Sequence, residues 1–432
     1  MDALTALGLI GIIWLAIYFI AKYIGVERLQ EKGVEAGTPF MFMWKTERLN
    51  AFLTKMGKKF PVIFFNIGIV VGFGGMIFAF WMFGENLIKF FIEPAAAGGV
   101  VPIIPGVTIT GLPLVYLLIG LAVAILTHEF SHGFASSKDN IPIKSSGLLG
   151  FFVMFGAFVE PDEEAFEKEA SPRARMRLLA AGSYANIAWS FVFLAILLNF
   201  GAIASIAYNP PSGAYIYQTS PGSPGAEALS VGDVIIGLND TDIDAWNDIS
   251  TFMVDAMAGS QVTVHTLNGD ITLILAPSEA NETRGYIGIY GADYWEAKLG
   301  WNLFLDSMFV FHAQQIVLWC YIILISLALF NLLPIPMLDG DKLLSNGLSL
   351  FISDAKKIKY IMYPIRIAAF LIVVLSIVFS IIQICLFIYS EEEANLKIYI
   401  IVSLIILFNF DSYVMYDSSI FHGIQRFLGN YI

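Results

Sequence analysis

The chain has 432 residues, of which 57% are hydrophobic and only 14% charged, with a formal net charge of −12. That balance excludes an ordinary soluble globular protein and points to several membrane crossings, and the acidic sign argues against a nucleic-acid partner. The two cysteines, Cys320 and Cys385, both lie in apolar runs, which excludes a disulfide framework and leaves them as expected reduced thiols.

Apolar runs long enough to cross a hydrocarbon core of roughly 30 Å lie near Ala3 to Ile24, Pro61 to Phe83, Leu112 to Ser136 and Leu178 to Ile206. After a polar interval come Ile316 to Leu333, Ile365 to Ile388 and the shorter Ile398 to Phe410. The expectation is therefore a polytopic α-helical membrane protein of about seven transmembrane helices. The first run is long and has no basic segment before it, so it is expected to be a retained helix rather than a signal peptide. Basic residues orient the rest: eight lie between Lys22 and Lys59, Arg173, Arg175 and Arg177 precede the fourth run, and Lys356, Lys357, Lys359 and Arg366 flank the start of the sixth. By the positive-inside tendency these loops face the cytoplasm, with the N-terminus outside and the C-terminus inside.

Within the third run, Thr127-His128-Glu129-Phe130-Ser131-His132 interrupts an otherwise uncharged stretch from Leu112 to Ala135. On a helix, His128 and His132 are four residues apart and share a face, so both rings can reach one Zn²⁺, and Glu129 beside them can act as base. This is the H-E-x-x-H pattern of zinc hydrolases, in which the metal lowers the pKa of a bound water to about 7 and the glutamate handles its proton. Each ionisable group at mid-membrane costs roughly 2.5 to 3.5 kcal/mol, so three within five residues are poorly explained by packing. A satisfied polar cluster or an ion-conducting relay is the bland alternative. Fifteen residues separate Pro113 from His128, a rise of about 22 Å, which places the site inside the bilayer and nearer its cytoplasmic face.

The polar interval from Tyr208 to Tyr294 alternates short β-rich runs (Ala214 to Gln218, Val234 to Leu238, Val262 to Thr266, Ile271 to Leu275, Tyr286 to Ile289) with Gly, Pro, Asn and Asp turns. Ser220-Pro221-Gly222-Ser223-Pro224-Gly225-Ala226, Leu229, Gly232-Asp233-Val234-Ile235 and Asn239, in that order, resemble a PDZ domain. That resemblance makes Gly285, Tyr286, Ile287 and Gly288 the loop that receives a peptide carboxylate, in a domain that binds an extended segment at a sheet edge. A β-rich insertion without a ligand is the alternative. The expected organisation is an N-terminal membrane region over residues 1–207, a mostly β extracytoplasmic domain over 208–294 and a C-terminal membrane region over 295–432.

A catalytic zinc site takes three protein ligands plus water. The best third candidate is Asp339, in Asn331-Leu332-Leu333-Pro334-Ile335-Pro336-Met337-Leu338-Asp339-Gly340, where the prolines break the helix near the inner end of the fifth run. A plain loop aspartate is the alternative. Together, His128-Glu129-x-x-His132 and the stretch from Asn331 to Gly340 resemble the site-2 protease family of intramembrane zinc metalloproteases, the group with a PDZ insertion between those motifs. The resemblance spans nearly the whole chain. It implies one zinc ion per chain held by His128, His132 and Asp339, with Glu129 as general base.

Two further stretches are similar to that family. Gly182-Ser183-Tyr184-Ala185-Asn186 resembles its Gly-Pro-x-x-Asn motif, departing at Ser183, and implies that Asn186 donates to the developing oxyanion or holds the substrate backbone. An intramembrane asparagine that merely bonds a neighbouring helix is the alternative. The run from Gly147 to Phe158, with Gly156 and Phe158 toward its end, is similar to the family's re-entrant β-hairpin, whose edge can pair with an unwound substrate. The run from Phe40 to Trp44 is a candidate for a second such strand. The function implied is endoproteolysis of single-span membrane proteins within the bilayer after a first extracytoplasmic cut, in a prokaryotic plasma membrane. A zinc protease acting on exposed loops or remnant signal peptides at the membrane surface, and a non-enzymatic PDZ membrane receptor, stay open beside it.

Overall fold

A computed structural model describes residues 3–36, 39–93, 97–98, 109, 111–151, 154–278, 281–302 and 306–390. Contacts among the described residues group into two compact units, one formed by the segments up to Leu194 and from Leu318 onward, the other by Ala195 to Val317.

The first unit opens with the apolar helix α1 (Ala3–Ile24), followed by strand β1 (Met41–Lys45) and the amphipathic helix α2 (Glu47–Gly57). Helix α3 (Val62–Ile92) follows Pro61 and helix α4 (Leu112–Lys138) has Pro113 in its first turn, where a missing N–H costs no helical hydrogen bond. Strands β2 (Ile143–Phe151) and β3 (Met154–Pro161) form an antiparallel hairpin in which Gly147 faces Phe158 and Leu149 faces Gly156. β1 adds to β2 with Trp44 opposite Leu148, and Val34–Glu35 adds to β1, so β3 ends a four-stranded sheet. The run from Phe40 to Trp44 is thus a strand from Met41 onward, Phe40 itself having φ +66°.

Helix α5 (Pro172–Leu198) continues in a separate short helix, Phe200–Ala204, where the sequence suggested one run to Ile206. Asn199 interrupts the two with a backbone close to the bridge region. The N-terminal half of α5 is mostly buried, from Ala174 to Asn186, and packs Leu179 and Ala180 with Met76 of α3.

The second unit is built on a sheet of β4 (Ala214–Thr219), β5 (Val234–Leu238), β6 (Gln261–Thr266), β7 (Gly269–Ile274) and β9 (Ile289–Asp293), in the order β9-β4-β5-β6-β7, with Thr241–Asp242 paired to β5. Strand β8 (Asn281–Tyr286) pairs with Ala276–Ser278. The expected strand from Tyr286 to Ile289 is instead a break: β8 stops at Tyr286, Gly288 takes φ +79°, and β9 begins at Ile289. Alternate inward residues Ile216, Ile235, Val264 and Leu275 are fully buried and meet Trp246 and Ile249 of helix α6 (Trp246–Asp255). Each such side chain contributes about 1.5 to 3 kcal/mol by leaving water.

Helix α7 (Ser307–Asn331) leads out of that unit. Beyond its end at Asn331, and past Pro334 and Pro336, a new helix α8 (Asp339–Ser349) begins, followed by α9 (Ala355–Ser390). Leu332 and Leu343, both fully buried, close this corner against α3 and α5. Among the described residues five helices are long and apolar enough to cross a membrane: α3, α4, α5, α7 and α9. The helix at the first expected crossing, α1, contributes a shorter apolar stretch, and the seventh, Ile398 to Phe410, lies outside the described residues. Cys320 is buried and free; the Cys385 side chain also lies outside what is described.

Candidate metal centre and active site

Helix α4 presents His128 and His132 one turn apart, both buried, with their Nε2 atoms 3.0 Å from each other. Asp339 Oδ2 comes to 3.1 Å from the first and 3.2 Å from the second. One ligand atom from each of the three residues lies within 4.8 Å of the others. Of this trio His132 is the best defined. Its Nδ1 is 2.8 Å from the Leu178 carbonyl, which can only accept, so Nδ1 carries a proton and Nε2, the nitrogen beside Asp339, is the one left to ligate a metal. Such a hydrogen bond on the far nitrogen is how metal-binding imidazoles are oriented.

Two glycines make the convergence possible. A Cβ on Gly182 of α5 would stand 2.6 Å from His128 Cε1 and from His132 Nε2, and 2.7 Å from His128 Nδ1. The bare backbone at Gly182 is therefore the space in which both rings sit. At Gly340 a Cβ would overlap the Leu332 carbonyl oxygen, so only glycine lets α8 start tight against the end of α7. Asp339 is the first residue of α8, just past the backbone that Pro334 and Pro336 break. The same turn is tied down: Asp341, buried, accepts from Arg366 Nε at 2.6 Å and Nη2 at 2.8 Å, linking α8 to α9.

Glu129 is half-buried, and its Oε2 accepts the main-chain N–H of Val159 on β3 at 3.0 Å. Asn186 is fully buried one turn beyond Gly182, on the same face of α5. Its Oδ1 accepts from the Thr127 hydroxyl at 2.7 Å, while Nδ2 has no partner among the described residues. A buried amide N–H pair without an acceptor is costly, roughly 1 to 3 kcal/mol, and is suited to a substrate carbonyl. On the hairpin, Gly156 backs onto Ile125 of α4, where a Cβ would come to 2.9 Å from that side chain, and Phe158 is half-buried opposite Gly147.

The β-domain residues form a separate group. Gly285 lies in β8 and donates to the Ala256 carbonyl at 2.8 Å. The Tyr286 hydroxyl bonds Ser220 Oγ at 2.9 Å. Ile287 is buried and its carbonyl accepts from Gly225, while the Gly288 carbonyl accepts from Ser220. The hydrogen bond from His265 Nδ1 to Asp270 Oδ1, at 2.8 Å, raises the imidazole pKa, and burial raises that of Asp293.

Residue patterns alone did not bring out Gly182 as the gap over the rings, the Leu178 carbonyl, the Val159 N–H or the Arg366–Asp341 pair. Only Thr127, adjoining the motif, carried a visible polar signal in an apolar run.

The sequence pattern of peptidase family M50 matches residues 116–375, more than half of the chain. An uncharacterized protein of Methanocaldococcus jannaschii is similar at 27% identity over 337 residues, which cover 76% of this chain and 81% of that protein. A crystal structure of the PDZ domain of the SdrC-like protein from Listeria innocua aligns with 18% of this chain and 92% of its own, at 18% identity and a TM-score of 0.17, too low to bear on the fold. The matched stretch starts in the helix that carries the two histidines and ends in the helix that anchors Asp341, so it takes in every part of the cluster; the chain is a member of peptidase family M50, the site-2 protease family of metalloproteases.

Proposed function

We propose that the protein is a zinc-dependent intramembrane endopeptidase that cuts the membrane segments of single-span proteins after a first extracytoplasmic cut. The observation that carries this reading is the convergence of Asp339, at the start of α8, on His128 and His132, which lie beside Glu129 on a helix apolar enough to cross a membrane. Two imidazole nitrogens and a carboxylate oxygen suit zinc, and three protein ligands leave a position open for water. Zinc held there supplies a Lewis acid, which polarises the reacting oxygen.

The chain's own groups do the rest. Glu129 takes the proton of the attacking water and passes it to the departing amide nitrogen. The Asn186 Nδ2 N–H donates to the carbonyl oxygen as charge builds on it, with Thr127 holding the other end of the amide. A helical substrate hides its peptide bonds, so it must unwind; the outer strand β3, the strand on which Gly156 and Phe158 lie, offers it an extended edge. The β domain is PDZ-like and extracytoplasmic, its segment Gly285 to Gly288 takes a peptide carboxylate, and its insertion in the chain between α5 and α7 makes it a filter against substrates with bulky outer portions. Cleavage releases a cytosolic fragment.

The test is cleavage by the purified chain of a membrane-span substrate and of a soluble peptide, with zinc and with chelator. Chelator-sensitive cutting of the span alone is expected, and His128→Ala, His132→Ala and Asp339→Ala should each lower bound zinc below about one per chain. Equal cutting of the soluble peptide would move the activity to the membrane surface. Full activity without metal would end the metalloprotease reading.

A further inference from the structure

The Val159 N–H that reaches Glu129 belongs to the outer strand of the hairpin sheet. In an antiparallel ladder a residue's N–H and C=O point to the same side, and successive residues alternate. The Ser146 carbonyl accepts from the Thr46 N–H at 3.0 Å, so Ser146 faces β1 and turns away from β3. Its register partner Val159 is therefore in a non-hydrogen-bonded pair and points outward. The bond from Val159 to Glu129 sets the same phase independently. It follows that Ala157 and Phe155 also direct their main-chain groups to the outer edge, while Phe158, Gly156 and Met154 bond to β2.

We propose that Val159 is a positioning residue whose main-chain N–H fixes the Glu129 carboxylate, and that Ala157 and Phe155 are the rungs on which an extended substrate pairs. The outward position after Ala157 is taken by Glu129, so the pairing stops there and the cut bond lies beside it. Strand and base are then one device: the strand that holds the substrate also aims the group that handles the proton. This rests on the reading of Glu129 as base and of β3 as the substrate's partner.

The test uses the full chain with zinc and a membrane-span substrate. In one variant the amide at 159 is replaced by an ester, by incorporating 2-hydroxyisovaleric acid, which deletes the N–H and keeps the side chain. In a second, Val159→Pro deletes the same donor, tolerable where the N–H faces away from the neighbouring strand. Both should lower kcat about ten- to a hundredfold, the worth of one charge-assisted hydrogen bond, with KM within about twofold of the parent. Zinc per chain should hold, and fragment masses should show cuts spreading to neighbouring bonds. Val159→Ala, which keeps the N–H, should restore the parent kcat and cut position. Ala157→Pro, which removes a rung instead, should raise KM and leave kcat nearer the parent value. An unchanged kcat in the ester and Pro variants overturns the proposal. So does a fall in kcat matched by a rise in KM and loss of zinc, which would make the bond a structural staple. If the parent chain cuts nothing with zinc bound, the reading beneath has failed, and the proposal with it.

Discussion

Replacing Gly182 by alanine should dislodge both histidines with a single methyl group. Its carbon would begin 2.6 Å from His128 Cε1 and His132 Nε2, whereas comfortable contact lies near 3.5 to 4.0 Å, so the rings or the helix must yield about 1 Å. Metal–ligand distances tolerate about 0.2 Å. His132 cannot simply swing aside, because its Nδ1 is bonded to the Leu178 carbonyl, one turn before Gly182 on α5. Moving α5 instead disturbs the Leu179 and Ala180 packing, an overpacking cost of about 1 to 3 kcal/mol. Spent on the site, that range is about a 5- to 150-fold loss of zinc affinity. The assay is competition for zinc against a chelator of known affinity, with thermal unfolding in parallel to see how much of the strain the fold absorbs. Gly182→Ala with unchanged zinc affinity would refute the cradle described for Gly182.

Glu129→Gln should keep zinc and lose about a hundredfold or more in turnover, since the amide preserves shape and cannot take a proton; near-parental cutting would remove Glu129 from the chemistry. Arg366→Met leaves Asp341 buried and unpaired; full burial would cost about 3 to 5 kcal/mol, and with the Arg366 side chain 30% exposed about 1 to 3 is expected. Unfolding measurements should show part of that loss recovered in Arg366→Met with Asp341→Leu; no loss in the single variant would count against the tie. The raised His265 pKa stabilises the fold fully below the unfolded value of about 6.5 and is lost as pH rises through the folded value, the bond to Asp270 being its main cause. Unfolding of the parent and of Asp270→Asn should therefore differ at pH 6 and converge at alkaline pH, and a constant difference would exclude that linkage. Single cysteines near Asp240 and near Lys357 should label from opposite sides of sealed cells; labelling from one side would break the proposed orientation.

The metal-ligand candidates were legible because each is a titratable side chain in a place that penalises titratable side chains. His128, Glu129 and His132 stand out in an apolar run, and Asp339 is marked by the prolines before it. What could not be read was main-chain and steric. The Leu178 carbonyl and the Val159 N–H are present in any residue type, and Gly182 acts through an absent side chain. Helix positions were legible to about three turns at the ends, since hydrophobicity reports where a helix is buried and not where its hydrogen bonds stop. Helix α9 starts at Ala355, ahead of Ile365, because Lys356, Lys357 and Lys359 are good helix formers despite their charge. Between Tyr286 and Ile289 an apolar run read as one strand, and the left-handed backbone at Gly288 divides it.

The composition of the ligand set has a consequence for how the site tolerates its surroundings. Two imidazoles binding as neutral ligands, with one aspartate and one glutamate carboxylate, would offer two negative charges, which a divalent cation held there would offset. A third histidine in place of Asp339 would bind zinc as readily in water but would leave one uncompensated positive charge among the helices, where solvation is poor and isolated charge is expensive. With the aspartate, a bound divalent cation would leave the cluster with no net charge, and the apolar helices around it would need to offer no counterion.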